Sequence, residues 1–365
     1  MPDFVNLPTK EQFDTQNAIL AAIASNLNPD GLSINSWEDV QRIVRMGVAH
    51  KFFTVGDSFV ATYGGVERIW DIIGINHDEP VDPRFKNSIT IQTRDCLMNC
   101  VFDAAELLYF AEAILPVGDY KFYDSYSTKN FGFSIATPVP IGGSIEVSAW
   151  VASSQLPSQV RTKDAAGAIL ETIPVSESSA GTLLTCNDLQ RARYGSNNYL
   201  ESNIRHWLNS DAQVYSANKK TKYDVLSTAA PYNTGGFLYN LDPELKAVIG
   251  PVKKQVAKNT ITDGGGQDLF QDKVFLISRV EAYGGAEGGS TGEKPYEYYS
   301  LLAPAATTAE IPGRIKYLSG SARHWWLRSP SVGDSYGPRV VRTTGSVNYS
   351  YAFGALGLAP ACTIY

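Results

Sequence analysis

Two adjacent tryptophans followed closely by an arginine constrain this chain more than any other feature. Trp325 and Trp326 precede Arg328 in a β-rich run that ends at Pro330. Neighbouring residues of a strand point to opposite faces, so the two indoles would place a large apolar anchor on each face. The guanidinium of Arg328 carries a fixed fork of N–H donors that can bond buried carbonyls. The pattern predicts a strand that anchors the fold, with a sugar-stacking tryptophan site as the alternative.

Composition excludes several classes of protein. The chain has 365 residues, 44% hydrophobic and 19% charged, which favours two folded domains or one large domain over disorder. Its net charge of −6 argues against a general nucleic-acid binder, although this charge does not exclude a small local basic patch. We expect no transmembrane helix and, from the opening Met1–Asn6, no secretory signal. The cysteines Cys96, Cys100, Cys186 and Cys362 are expected to be free thiols in a protein made in a reducing cytosol.

Residues 1–48 are predicted to be a helical segment for attachment or oligomerisation. Phe13, Leu20 and Leu27 recur at seven-residue spacing, which suits either a short coiled coil or an ordinary helix packed on its own domain. A second helix is predicted from an N-cap at Ser36 to Gly47. Its apolar stripe consists of Trp37, Val40, Ile43 and Val44.

Strands and helices alternate in the rest of the chain. Short β-rich runs predict strands at 52–55, 69–75, 88–91 and 274–278, and helices are expected within 97–115 and 199–209. Residues 116–185 contain strand-like pieces split by Pro and Gly, which predicts a small antiparallel β unit inserted into the main domain. This unit is either a recognition module or a plain insertion.

Motifs for catalysis and for a resident cofactor are absent from the sequence. It contains no H-E-x-x-H, no G-x-S-x-G and no phosphate-binding loop. The corner Asn76–Asp78 follows a strand and is read either as a metal or catalytic site built on His77 or as an ordinary turn. Asp263 and Asp268 are loop carboxylates that could bind calcium. We therefore expect a protein that is not an enzyme and has no cofactor, apart from this calcium option.

The run His324–Pro330 resembles the hallmark of an uncharacterised domain family that is common in bacteriophage and bacterial genomes. Further similar segments are 55–57, 76–78, 202–209 and 274–281. The resemblance implies an α+β chain with a C-type lectin-like fold of the formylglycine-generating-enzyme type, formed by residues 49–115 and 186–365. The reactive cysteine pair of the enzyme branch has no matching local motif here, which argues against a redox enzyme.

Some relatives implied by this resemblance are variable proteins of diversity-generating retroelements, in which adenine mutagenesis alters a C-terminal region. Residues 331–365 would be that region. They contain no Lys, Glu, Gln, Met or Trp, the residue types that lack a sense codon ending in a pyrimidine. An ordinary Gly- and Tyr-rich closing segment is the alternative. The expected contact residues are Gly333, Asp334, Tyr336, Gly337, Val340, Arg342, Ser346, Asn348, Tyr349, Ser350, Tyr351, Phe353 and Gly354.

Within this set the aromatic rings would be anchors, as in antibody loops, Asp334 and Arg342 would set charge selectivity, and the glycines would be outcomes of mutation. Trp325, Trp326 and Arg328 would supply the fixed scaffold. The resemblance implies a phage receptor-binding protein at the virion tail tip. Its partners would be a host-cell surface protein or glycan, other virion proteins and copies of itself, a trimer being one option, with no nucleic acid and no membrane insertion. The alternatives are an undiversified phage structural or baseplate protein and a glycan-binding lectin.

Overall fold

A computed structural model of the chain describes residues 34–151, 156–215, 221–225, 227, 229–285, 287–288, 291–302 and 311–365. The predicted helix through Phe13, Leu20 and Leu27 lies outside these residues. Helices and small β-sheets are mixed along the chain, so the predicted α+β class is confirmed. No helix in the described ranges is long and apolar enough to cross a membrane.

The helices are short. They are α1 (Trp37–Arg45), α2 (Ala49–Phe52), α3 (Leu189–Tyr194), α4 (Asn203–Leu208), α5 (Phe237–Asn240), α6 (Pro243–Val248), α7 (Arg279–Tyr283) and α8 (Glu297–Leu302), and Pro312–Arg314 forms a 3₁₀ turn. Helix α1 begins as predicted, because the Ser36 side chain accepts a hydrogen bond from the amide of Asp39. The predicted stripe of α1 is its buried face.

The strands form six sheets in the described residues. They are β1 (Ser58–Tyr63), β2 (Val66–Ile75), β3 (Ile89–Thr93), β4 (Asn99–Val101), β5 (Tyr109–Phe110), β6 (Gly118–Asp124), β7 (Lys129–Ile135), β8 (Ser144–Val151), β9 (Leu156–Lys163), β10 (Ile169–Pro174), β11 (Ser176–Glu177), β12 (Thr182–Leu183), β13 (Val252–Ala257), β14 (Gln267–Asp272), β15 (Val274–Phe275), β16 (Lys316–Leu318), β17 (Ser321–Arg323), β18 (Trp325–Pro330), β19 (Pro338–Val341), β20 (Val347–Tyr349), β21 (Ala355–Gly357) and β22 (Ala361–Ile364).

Two five-stranded sheets hold the main core. The first has the order β1-β2-β3-β22-β15, and the second has the order β20-β19-β18-β21-β4. Every residue of β3 is buried, as expected for a strand with neighbours on both sides and packing on both faces. The C-terminal strand β22 pairs with β3 and β15, so the end of the chain closes the first sheet.

A second, separate core lies under two four-stranded sheets with the orders β10-β9-β8-β5 and β11-β7-β6-β12. Its buried residues run from Leu108 to Ala192, so it takes members from both sides of the predicted 116–185 unit. Leu189 and Ala192 of α3 belong to this core. Helix α3 therefore joins the inserted β unit to the chain that follows it.

The helix expected within residues 97–115 is wrong. The segment runs through β4 and β5 in an extended path, and its amides bond to distant parts of the chain. Leu108 N–H donates to the carbonyl of Ile145, and Ala111 N–H donates to the carbonyl of Gly143, both at 2.9 Å. Tertiary pairing has taken the amides that a helix would use, so the local helix propensity is overridden.

The strand expected at residues 52–55 is also wrong. Phe52 ends α2, and a turn follows in which the Thr54 amide donates to Asp57 Oδ2 at 2.7 Å. The Asp57 amide in turn donates to the Thr54 carbonyl at 3.0 Å. The aspartate side chain competes for the backbone and stabilises a turn in place of a strand.

Candidate functional site

The two tryptophans of β18 are completely buried. Neither Trp325 nor Trp326 has any exposed surface. Their indole N–H groups donate to the carbonyls of Arg314 at 3.0 Å and Cys100 at 2.9 Å. No ring face is accessible to a sugar, so the sugar-stacking alternative is wrong and the anchoring role fits the geometry.

Arg328, two residues further on, is the centre of a buried polar network. Its Nε donates to the carbonyl of Gln255 at 2.9 Å, and its Nη1 donates to the carbonyl of Leu276 at 2.8 Å. The two terminal nitrogens form a forked pair with Glu281 at 2.6 and 2.9 Å, and Nη2 also donates to Glu293. The predicted bonds from Arg328 to buried carbonyls are confirmed, and its donors are fully used inside the protein.

Lys254 extends the same network toward the corner at His77 and Asp78. Its ammonium contacts Asp78 Oδ1 and lies 2.7 Å from Glu281 Oε1 and 2.8 Å from the Tyr296 hydroxyl. Burial alone would raise the pKa of Glu281, but the cations of Arg328 and Lys254 hold it below its usual range. All the charges in this cluster have partners within it.

The sequence predicts either a metal or catalytic site or an ordinary turn at residues 76–78. The structure shows which residues from other segments contact this corner. His77, Asp78 and Glu281 present ligand atoms within 4.8 Å of one another, which is the spacing of a metal site. The Lys254 ammonium lies between the two carboxylates, where a cation would sit. Burial lowers the pKa of His77, whose ring packs on Tyr296 with centroids 4.0 Å apart.

A cleft of about 580 Å³ opens above this network, with Lys254, Glu281 and Arg328 among its lining residues. The donors of Lys254 and Arg328 are already committed to protein acceptors, as described above. Phe270 adds a mostly buried apolar wall. The donors of Lys254 and Arg328 therefore belong to a structural network, in which the buried Glu293 Oε2 is an acceptor without a hydrogen-bond partner among the described residues.

The predicted contact residues separate into exposed and buried groups. Gly333, Arg342, Tyr349, Tyr351 and Phe353 are exposed. Partly exposed positions are Asp334, Tyr336, Ser346, Asn348, Ser350 and Gly354. The exposed fractions of the three outer aromatic side chains are 42% for Tyr349, 43% for Tyr351 and 45% for Phe353. These rings are large apolar groups that the fold leaves in solvent.

Gly337 and Val340 are buried, so predicting them as contacts is wrong. Val340 is only 1% exposed because it faces the core from β19. A Cβ at Gly337 would lie 2.7 Å from a ring carbon of Tyr349 and 2.8 Å from Asp334 Oδ1. Both positions shape the surface from beneath and do not present a group to a ligand.

Arg342 and Ser346 lie in a different place from the aromatic residues. The Arg342 amide donates to the Ser346 carbonyl at 2.8 Å, which closes the turn between β19 and β20. The loops at 333–337 and 350–354 meet at the opposite end of these strands, where the Ala352 amide donates to the Tyr336 carbonyl at 3.0 Å. The charge selectivity predicted for Arg342 would therefore act away from the exposed rings.

Four aromatic rings pack together at that opposite end. Tyr351 stacks on Tyr194 with centroids 4.0 Å apart and planes 7° apart, and Phe353 lies parallel to Tyr351 at 6.1 Å and 5°. Tyr336 contacts Tyr194 and Tyr351 at 5.0 and 5.7 Å. We call Tyr336, Tyr349, Tyr351 and Phe353 the aromatic face, with Tyr194 as its buried base.

Hydrogen bonds fix the backbone beneath the aromatic face. Asp334 Oδ1 accepts from the amides of Tyr336 at 3.2 Å and Gly337 at 2.7 Å. Burial raises the pKa of Asp334, although these bonds oppose the increase. Asp334 therefore stabilises its own loop. Its Oδ1 is already bound to backbone amides, which argues against the role in charge selectivity predicted for it.

Tyr194 was missed by reasoning from sequence. It ends α3, and its carbonyl accepts a 2.8 Å hydrogen bond from the Phe353 amide. Asp188, the N-cap of the same helix, accepts a 2.6 Å bond from the Ser335 hydroxyl. The only available signal was an aromatic residue followed by Gly195 at a helix end, which does not identify a partner more than 140 residues away.

The remaining candidates are occupied or unreactive. Asp263 pairs with Arg191 at 3.3 Å, and Asp268 pairs with Lys258 at 3.2 Å. All four cysteines are free thiols, as predicted. Burial raises the pKa of Cys96 and Cys186 to about 12, so neither is a thiolate at neutral pH.

The C-terminal half of the chain matches a protein family. A family model described as Domain of unknown function (DUF6273) matches residues 179–365. This range includes α3, the tryptophan strand β18 and the whole aromatic face. No curated protein and no solved structure matches the chain.

Proposed function

The chain belongs to the DUF6273 family, a domain family of unknown function. We propose a function for it from the geometry of the structure. The chain is a non-enzymatic ligand-binding protein, and the aromatic face is its binding surface. The ligand is a protein or glycan on the surface of a host cell. The observation that carries the proposal is the group of exposed rings held on a rigid base.

The aromatic face has the physical character of a binding surface. Tyrosine and phenylalanine offer a large contact area at low conformational cost, and contact residues of this type dominate binding energies. The rings of Tyr351 and Phe353 are more than 40% exposed although they are stacked and fixed by backbone bonds. A surface that is ordered before binding loses little entropy when it binds.

The network around Arg328 favours a scaffold role over catalysis. Its charged groups bond to one another and to backbone carbonyls, so the cations of Arg328 and Lys254 are committed to holding the fold together. The raised pKa values of Cys96 and Cys186, which keep both thiols protonated, also argue against thiol oxidation chemistry. Scaffold and aromatic face are separate, so face residues can change without disturbing the core.

This separation supports the finer proposal of a diversified receptor-binding protein with a C-type lectin-like fold. In that proposal the segment 331–365 varies through adenine mutagenesis, and residues 1–48 attach the chain to a phage tail tip or to sister chains. A nearby near-copy of the coding region that differs only at adenines would support it. If neither that copy nor a reverse transcriptase gene is nearby, the diversification proposal fails and a fixed structural protein or lectin replaces it.

Binding to cells tests the function itself. The fluorescently labelled full chain should bind intact bacterial cells of a susceptible strain, and the double variant Tyr351→Ala/Phe353→Ala should lose most of this binding. Tyr239→Ala is the matched control, because Tyr239 is 45% exposed but lies on α5, outside the aromatic face. If the double variant and the control bind like the unaltered chain, the aromatic face is not the binding surface.

A further inference from the structure

The cleft above the Arg328 network has the size of a small-molecule site. Its volume of about 580 Å³ lies within the range of about 300–1,000 Å³ that is usual for ligand pockets. Strand β14 contributes two apolar residues to its lining, the mostly buried Phe270 and Leu269, which is 78% exposed. A large aliphatic side chain left in solvent beside a cavity can cover the apolar part of a ligand.

The buried charges that line this cleft do not balance. Two are cations, on Lys254 and Arg328, and three are carboxylates, on Asp78, Glu281 and Glu293. Each of these five side chains is at most 4% exposed. One negative charge is therefore left over, and burying a charge without a partner is costly.

The other basic groups that line the cleft do not supply the missing cation. His77 packs on Tyr296, and burial lowers the pKa of its imidazole, which keeps the ring neutral at pH 7. At the rim, Lys253 is already paired with Glu79 at 2.5 Å, and both side chains are exposed. Lys294 is exposed as well, so water and salt screen its charge from the buried groups.

The charge without compensation is located at Glu293. Its Oε1 accepts from Arg328, whereas its buried Oε2 has no hydrogen-bond partner in the part of the chain that the structure describes. Asp78 and Glu281, by contrast, use both carboxylate oxygens as acceptors. Burial raises the pKa of Glu293, which agrees with a carboxylate that is incompletely compensated. Glu293 therefore needs one more donor, and a donor with a positive charge would also balance the buried charges.

We infer that the cleft binds a small molecule that carries a protonated amine and an apolar group. The ammonium donates to Glu293 Oε2, which is covered in this conformation and turns toward the cleft by a rotation of its side chain. The apolar group lies against Leu269 and Phe270. This site is separate from the aromatic face and does not depend on the function proposed for that face.

Three compounds of similar shape test the inference with the full chain: the cation 2-phenylethylamine, the neutral 2-phenylethanol and the anion 3-phenylpropionate. In isothermal titration calorimetry at pH 7, the amine should bind at least about tenfold more tightly than the alcohol, because a charged donor strengthens the bond to a carboxylate. The anion should bind more weakly than either. Leu269→Ser should weaken binding of the amine and the alcohol alike, because both carry the apolar group.

Glu293→Gln is the decisive variant. It keeps an oxygen for Arg328 but removes the charge, so the amine should bind about tenfold more weakly while the alcohol binds as before. Unchanged binding of the alcohol would show that the cleft of this variant is intact. Glu177→Gln is the matched control, because Glu177 is an exposed carboxylate paired with Lys129 on the inserted unit. This control should bind the amine like the unaltered chain.

The contrary results are distinct. If the amine and the alcohol bind equally, or if Glu293→Gln keeps the preference for the amine, the assignment of an amine to Glu293 is refuted. If Glu177→Gln weakens amine binding as much as Glu293→Gln does, the cation is attracted only by the net charge of −6 and the site is refuted. Absence of binding by all three compounds at about 10 mM also refutes the site. The double variant Tyr351→Ala/Phe353→Ala should bind the amine normally, so failure of this inference leaves the proposed function of the aromatic face intact.

Discussion

Replacing Arg328 by methionine should destabilise the fold strongly, and the structure gives the size of the effect. The side chain is completely buried and bonds to Glu281, Glu293 and two backbone carbonyls. Removing one partner of a buried ion pair costs about 3–5 kcal/mol, because the other charge is left without compensation. Each abandoned carbonyl adds about 1 kcal/mol. Lys254 still compensates Glu281 in part, so we expect a total loss near 4 kcal/mol.

Urea unfolding followed by tryptophan fluorescence measures this loss, since Trp325 and Trp326 are buried beside the network. Arg328→Lys should lose less, because an ammonium can replace some of the donors but not the fork. Arg342→Met is the matched control: its guanidinium is exposed, and surface changes usually stay within about 0.5 kcal/mol.

The charge left behind provides a second measurement. In the Arg328→Met background, Glu293→Gln should recover part of the stability, because the uncompensated carboxylate is then neutral. If Arg328→Met lost less than about 1 kcal/mol, or behaved like the Arg342→Met control, the network would not be an anchor of the fold and the scaffold argument would be refuted. An Arg328→Met chain too unstable to purify would agree with the expectation, and Arg328→Lys would then supply the number.

Three further outcomes follow from other contacts. Burial lowers the pKa of Lys316 from 10.5 to about 8, so between these pH values the unfolded chain binds a proton that the native state has already lost. The free energy of unfolding, measured relative to Lys316→Met, should therefore rise from pH 8 to 10.5. A difference between the two chains that does not change with pH in denaturation curves would contradict this. Gly337→Ala should lose about 1–3 kcal/mol of stability, because the new Cβ would clash with Tyr349 and Asp334. Gly333→Ala should be nearly neutral, because nothing lies within 4 Å of its Cβ position. Thermal unfolding of both variants measures the difference. Because Lys254 already lies between Asp78 and Glu281, millimolar Zn²⁺ or Ca²⁺ should leave Tm unchanged, and a metal-dependent rise would show that an ion displaces the ammonium.

Features determined by neighbouring residues could be predicted from the sequence. Helix α1 follows from a capping serine and an apolar stripe within ten residues, and both are local patterns. Trp325 and Trp326 lie on opposite faces of one strand, and both are buried because every residue of β18 is buried. The segment 97–115 could not be predicted from local patterns. Its composition suits a helix, but its amides donate hydrogen bonds to carbonyls of residues far along the chain.

The candidate sites depend on such distant pairings. His77 and Asp78 could be singled out as a corner, but their partners Lys254 and Glu281 come from other segments, and only the fold shows that a lysine fills the position of an ion. Tyr194 likewise reaches the aromatic face only because α3 returns beneath the C-terminal loops. The exposure of individual residues within 331–365 also could not be predicted from the sequence. For this reason the predicted contact residues include the buried Gly337 and Val340.

The burial of those two positions sharpens the test of diversification. Codons for glycine and valine contain adenine, if at all, only in the third position, where its replacement changes nothing. Tyrosine codons carry adenine in the second position, and Tyr349 and Tyr351 are exposed. If adenine mutagenesis acts on this fold without unfolding it, the template copy should have adenine in the first two codon positions at 349 and 351 and none there at 337 and 340. A template that varied the buried Val340 would replace a core residue with polar ones, at a cost of several kcal/mol, and would contradict a scaffold that tolerates diversity.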